Sequence, residues 1–122
     1  MSKKILYIED EEAIGGFYKN LLNNAGFQTE WVLSVPAAEK LAETFQPDLL
    51  LVDNGLKEGK QGIEAIPDLK KSFPQAKIVI FSNHSEDDKV KKAKKLGATD
   101  FWYKIKISPD ILVKDVTELL SV

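Results

Sequence analysis

Leu49-Leu50-Leu51-Val52 is an unbroken apolar run between Pro47 and the turn-forming pair Asn54-Gly55. It is too short for an ordinary helix and has no polar alternation. A strand buried on both faces, as in a parallel sheet, reads this way. Asp53 follows directly, so a carboxylate stands where a buried strand stops and its loop begins. In open α/β sheets, ligands bind in the crevice outside the carboxyl ends of the strands.

The rest of the chain repeats the pattern. Ile5 to Ile8 is apolar and ends in Glu9, Asp10, Glu11 and Glu12. Ile14, Phe17, Tyr18, Leu21 and Leu22 recur at three and four, which predicts a helix stopped at Asn24-Ala25-Gly26. Phe27 to Leu33 predicts a strand nearer an edge. Ser34 is a candidate N-cap with Pro36 in the first turn, and Ala38, Leu41, Ala42 and Phe45 form the buried stripe of a second helix. A polar loop, 54–62, leads to a helix with Ile63, Ile66 and Leu69 inward, expected to be short or kinked at Pro67. Lys77 to Ser82 predicts a fourth strand, Glu86 to Leu96 a lysine-rich helix ended by Gly97, and Thr99 to Tyr103 a fifth strand. Ser108-Pro109 opens a last helix, with Ile111, Leu112, Val116, Leu119 and Leu120 as its apolar stripe. Five β-α units in succession imply an α/β fold, a doubly wound parallel sheet of five strands with helices on both faces.

At 122 residues the chain fits one domain, 1–122. Seventeen basic and nineteen acidic residues give a net charge of −2, which argues against direct nucleic-acid binding. Cysteine is absent, so disulfides, thiolate catalysis and zinc–sulfur sites are excluded. No stretch has the length of a membrane span or of a signal peptide, and a cytoplasmic protein is expected.

The strand ends carry the chemistry. Glu9 and Asp10 end the first strand, Asp53 the third, Ser82 the fourth and Lys104 follows the fifth. In a parallel sheet all lie on one edge. Two unpaired carboxylates ~4 Å apart repel by about 4 kcal/mol at an effective dielectric near 20. Three need a cation, or raise one another's pKa. An all-oxygen site of this kind suits Mg²⁺. Lysine binds phosphate as a point charge, a serine hydroxyl donates to a phosphoryl oxygen, and a carboxylate can itself become an aspartyl phosphate. Singly, each residue has a plainer reading: the acids as a favourable helix start, Asp53 as a turn residue, Ser82 and Lys104 as ordinary strand-end residues. His84, the one histidine, reads as a polar loop residue.

ILYIEDEE, DLLLVDNG, IVIFSN and GATDFWYK, in this order from about Lys4 to Leu120, resemble the signature stretches of the receiver domains of two-component response regulators. The resemblance implies the flavodoxin-like strand order 2-1-3-4-5 with five helices. It implies that Asp53 is the phosphoacceptor, and that Glu9, Asp10, Asp53 and the carbonyl of Gly55 hold Mg²⁺. Ser82 would contact the phosphoryl group beside Lys104, and Phe101 would be the aromatic that changes rotamer on activation. The implied partners are a sensor histidine kinase or a histidine phosphotransfer protein, and an output protein of unknown identity; no nucleic acid or membrane is expected. Two other readings stand beside it: a pseudo-receiver that binds partners without phosphorylation, and a Mg²⁺-dependent phosphohydrolase working through an aspartyl phosphate.

The sequence departs from the family pattern in its loops. Lys57 stands where proline is usual, Gly62 lies one residue late, Asn83 replaces a small residue and Ile105 replaces a proline. A cis bond without proline costs ~2.5–4 kcal/mol, so the Lys104–Ile105 bond is expected to be trans.

Overall fold

The structure is a computed structural model that describes residues 2–56, 61–83 and 86–121. Lys57 and His84 lie outside the described residues. Five strands, β1 (Lys4–Ile8), β2 (Gln28–Val32), β3 (Leu49–Val52), β4 (Lys77–Ser82) and β5 (Asp100–Tyr103), alternate with five helices. The helices are α1 (Glu12–Asn24), α2 (Val35–Glu39), α3 (Gly62–Ser72), α4 (Asp87–Leu96) and α5 (Pro109–Leu120). All strands pair in parallel, in the order β2-β1-β3-β4-β5. This is the flavodoxin-like doubly wound sheet expected from the sequence.

Strand alternation divides the core in two. Leu6, Ile8, Leu50, Val52, Ile78 and Ile80 face Val35 and Ala38 of α2, Ile63, Ile66 and Leu69 of α3, and Ala93 of α4. Ile5, Tyr7, Leu49, Leu51, Val79 and Phe81 face Leu22 of α1 and Leu112 and Val116 of α5. All four residues of β3 are fully buried, which is why that strand reads as a continuous apolar run. Burying each such side chain stabilises the fold by about 1.5–3 kcal/mol.

Helix ends follow the local chemistry. Ser34 Oγ accepts the Ala37 N–H at 3.2 Å, and Ser108 Oγ accepts the Ile111 N–H at 3.3 Å, each with a proline in the first turn. Gly97 closes α4 at φ +114°, a conformation that disfavours any side chain. Helix α3 runs through Pro67 for eleven residues, longer than its proline suggested.

Three expectations are corrected. Phe17 is 52% exposed, whereas its neighbour Tyr18 turns inward and packs edge-on against Phe81 and Tyr7. Ile111, in the first turn of α5, is 45% exposed. The regular part of α2 ends at Glu39, and residues 40–45 continue as looser turns that still bury Phe45. The Lys104–Ile105 bond is trans as expected, and Lys104–Lys106 forms a single 3-10 turn.

Candidate functional site

The parallel register fixes which strand ends meet. Ile8 pairs with Val52, and Val52 with Ile80. One residue further on, the Asp53 N–H donates to the Ile8 carbonyl and the Glu9 N–H to the Val32 carbonyl, each at 3.0 Å. The sheet's hydrogen bonding therefore carries Glu9 and Asp53 side by side past the end of the apolar core. Glu9, Asp53, Gly55, Ser82, Asn83 and Lys104 line a crevice of about 170 Å³ there.

Four of its polar and charged residues are nearly dry. Glu9 is 1% exposed, Asp53 7%, Ser82 1% and Lys104 9%. Lys104 Nζ donates to Glu9 Oε1 at 2.5 Å and to Asp53 Oδ1 at 3.3 Å. Burial pushes the Asp53 carboxyl above its ordinary range. Lys104 opposes the shift, Glu9 reinforces it, and the Gly55 backbone N–H also favours the ionised form. Glu9, Asp10 and Asp53 can each present one carboxylate oxygen within 4.8 Å of the other two. Three carboxylates gathered this closely are a donor set that a divalent cation would fit.

Backbone packing holds this arrangement from below. A Cβ on Gly62 would stand 2.5 Å from the Asp53 carbonyl oxygen and 2.8 Å from Val52 Cγ1, so α3 starts pressed against the strand end. Asn54, expected only to form a turn, reaches forward instead: its Oδ1 accepts the Ile63 N–H at 2.9 Å and caps α3. Gln61 Nε2 donates to the Leu56 carbonyl at 2.7 Å.

The structure brings together all the expected strand-end residues, Glu9, Asp10, Asp53, Gly55, Ser82 and Lys104. Phe101 stands apart. It is in register with Ile80, half-buried against the core under α2, α3 and α4, and does not line the crevice. Asn83 is exposed at the crevice mouth as expected.

Two residues around Glu9 were missed from sequence. The Tyr7 hydroxyl donates to Glu9 Oε1 at 3.2 Å, and Trp31 Nε1 donates to the Glu9 carbonyl at 2.8 Å. A signal for Tyr7 was present: residues i and i+2 of a strand share a face. Trp31 needed the register, in which it pairs with Tyr7.

Comparison with known proteins gives the family. Residues 5–117 match the response regulator receiver domain. The chain belongs to that family. It is 32% identical over 106 residues to chemotaxis protein CheY of Thermotoga maritima, covering 85% of this chain and 87% of that protein. It is 28% identical over 109 residues to the photosynthetic apparatus regulatory protein RegA of Rhodobacter capsulatus, covering 89% of this chain; it spans only 59% of the length of RegA. A CheY-like receiver domain protein of Methanospirillum hungatei has the same fold, with a TM-score of 0.89 at 22% identity over 98% of this chain and 94% of that one. Receiver domains are the phosphorylation-based signalling modules of two-component systems. Among the described residues no helix of this receiver domain is long and apolar enough to cross a membrane.

Proposed function

We propose that this chain, residues 1–122, is one phosphoacceptor receiver domain that works in the cytoplasm. Asp53 takes the phosphoryl group from a phosphohistidine on a sensor histidine kinase or a histidine phosphotransfer protein. A carboxylate oxygen of Asp53 attacks phosphorus, the P–N bond breaks, and the imidazole leaves carrying the electron pair and picks up a proton. The observation that carries this reading is the buried Asp53 carboxylate, grouped with Glu9 and Asp10 and reached at 3.3 Å by Lys104 Nζ, which also bonds Glu9.

The donor set suits Mg²⁺: among the described residues it is three carboxylates whose oxygens come within 4.8 Å of one another. Glu9, Asp10, Asp53 and the Gly55 carbonyl would hold the ion, which when bound supplies charge neutralisation for the transferring phosphoryl group. Lys104 follows the new charge on Asp53, and Ser82 donates its hydroxyl to a phosphoryl oxygen. Phe101 changes rotamer in response and alters a protein-binding face formed by α4, β5 and α5. The domain catalyses only its own phosphorylation and dephosphorylation, and its output runs through a protein partner.

Incubation with Mg²⁺ and a small acyl phosphate, followed by intact mass measurement, tests the proposal. One added phosphate is expected, absent in Asp53→Asn. Equal labelling of that variant would refute the assignment of Asp53. Turnover of external phosphate esters would favour a phosphohydrolase instead.

A further inference from the structure

Glu9 is held at several points. Its Oε1 accepts from Lys104 Nζ at 2.5 Å and from the Tyr7 hydroxyl at 3.2 Å. Its Oε2 accepts from the Glu11 N–H at 3.3 Å, and its carbonyl from Trp31 Nε1 at 2.8 Å. Of the two groups on Oε1, Lys104 is a charge that also contacts Asp53 and would be drawn towards any phosphoryl group placed there. Tyr7 is different. It is fully buried in β1, its ring wedged edge-on against Tyr18, and its phenol cannot leave without breaking the core.

A buried carboxylate stripped of its donors bears a desolvation cost. It also rotates freely, which a metal ligand must not do. Groups that hydrogen-bond a metal's ligands fix their orientation, and removing one typically lowers metal affinity 10–100-fold.

We propose that Tyr7 is a positioning residue for divalent-metal binding: its hydroxyl, fixed by the core, holds the Glu9 carboxylate in its metal-facing orientation and remains its donor when Lys104 moves to the phosphoryl group. This rests on the reading of the crevice as a Mg²⁺-dependent phosphoacceptor site. It extends the working parts of the site to a residue inside the β1 core, on the side covered by α1 and α5.

The test is calorimetric titration with Mg²⁺ of the wild-type chain, Tyr7→Phe, Asp10→Ala, Glu9→Asp and the Tyr7→Phe/Glu9→Asp double variant. Tyr7→Phe removes one oxygen and keeps the ring. Its Mg²⁺ affinity is expected to fall about tenfold. Its labelling by a small acyl phosphate is expected to slow at low Mg²⁺ and to recover at saturating Mg²⁺. In the Glu9→Asp background the carboxylate is drawn back from the phenol, and Tyr7→Phe should then change affinity little. Unchanged or tighter Mg²⁺ binding by Tyr7→Phe overturns the proposal, even if the melting temperature falls, because the phenol is then only a core residue. An equal loss in both backgrounds overturns it too. A wild-type chain that binds no Mg²⁺, or binds it no better than Asp10→Ala, overturns the functional reading itself and the proposal with it.

Discussion

Lys104 Nζ sits 2.5 Å from Glu9 Oε1 and 3.3 Å from Asp53 Oδ1, so without metal the lysine is principally the partner of Glu9. Removing one member of a buried pair usually costs about 3–5 kcal/mol, because the other charge is left alone. Lys104→Met should therefore lower the melting temperature of the metal-free protein. It should also bind Mg²⁺ more tightly, since the internal cation no longer competes. Thermal melts with and without Mg²⁺ check both points: the metal-induced rise should be larger in the variant. A smaller rise would contradict the competition.

Asp53 gives a pH signature with a definite sign. Its folded-state pKa is raised, by burial above all, so the ionised form is disfavoured in the fold relative to the unfolded chain. Ionised Asp53 thus costs stability at neutral pH, and that cost disappears as pH falls through the folded-state pKa. Asp53→Asn should stabilise the metal-free protein at neutral pH by on the order of 1 kcal/mol, several degrees for a domain of this size. The gap to wild type should close on acidification, and saturating Mg²⁺ should also narrow it. Paired melts across the pH range, with and without Mg²⁺, provide the measurement.

Gly15 lies under Trp31. A Cβ there would stand 2.1 Å from Trp31 Cε2 and 2.4 Å from Nε1, which no real contact allows. Gly15→Ala should push the indole out and break its 2.8 Å bond to the Glu9 carbonyl. Alanine's better helix propensity returns up to about 1 kcal/mol, so the net loss of stability should be modest. Tryptophan emission, read in a Trp102→Phe background to isolate Trp31, should shift to the red. Unshifted emission would mean that α1 moves instead.

Asn83 is exposed at the mouth of the crevice, where its side chain can narrow the approach opposite Asp53. In-line attack needs that approach open. Asn83→Ala should speed both labelling by a small phosphodonor and later hydrolysis by a few-fold, at unchanged Mg²⁺ affinity. Helix α4 begins after Glu86 rather than at Asn83, so stability should hardly change. Unaltered rates would remove Asn83 as a gate.

The apolar runs made the centre of this fold legible in the sequence. The four residues of β3 admit one reading, and Lys77–Ser82 emerges as β4 with the expected bounds. Asp53, Ser82 and Lys104 were legible for the same reason, since each follows a run whose end is sharp. Spacing was a weaker guide where helices meet solvent. Phe17 and Tyr18 both fit a period of three and four, but only Tyr18 finds aromatic neighbours in the sheet, Phe81 and Tyr7. Around α2, apolar spacing could not separate a regular helix from successive tighter turns. The Trp31–Glu9 bond depends on how β1 and β2 align, and no local pattern encodes that.

Gly62 and Leu56 lie on either side of residues 57–61 in the sequence. Gly62 has no room for a side chain against Asp53 and Val52, and Leu56 is buried at 3% exposure. Both residues are packed against the core next to β3. The close approach of Gly62 to the Asp53 backbone therefore couples the start of α3 directly to the strand end that carries the carboxylate. A side chain added at position 62 would thus be felt at the end of β3 as a displaced strand end, a fault in position and not in charge.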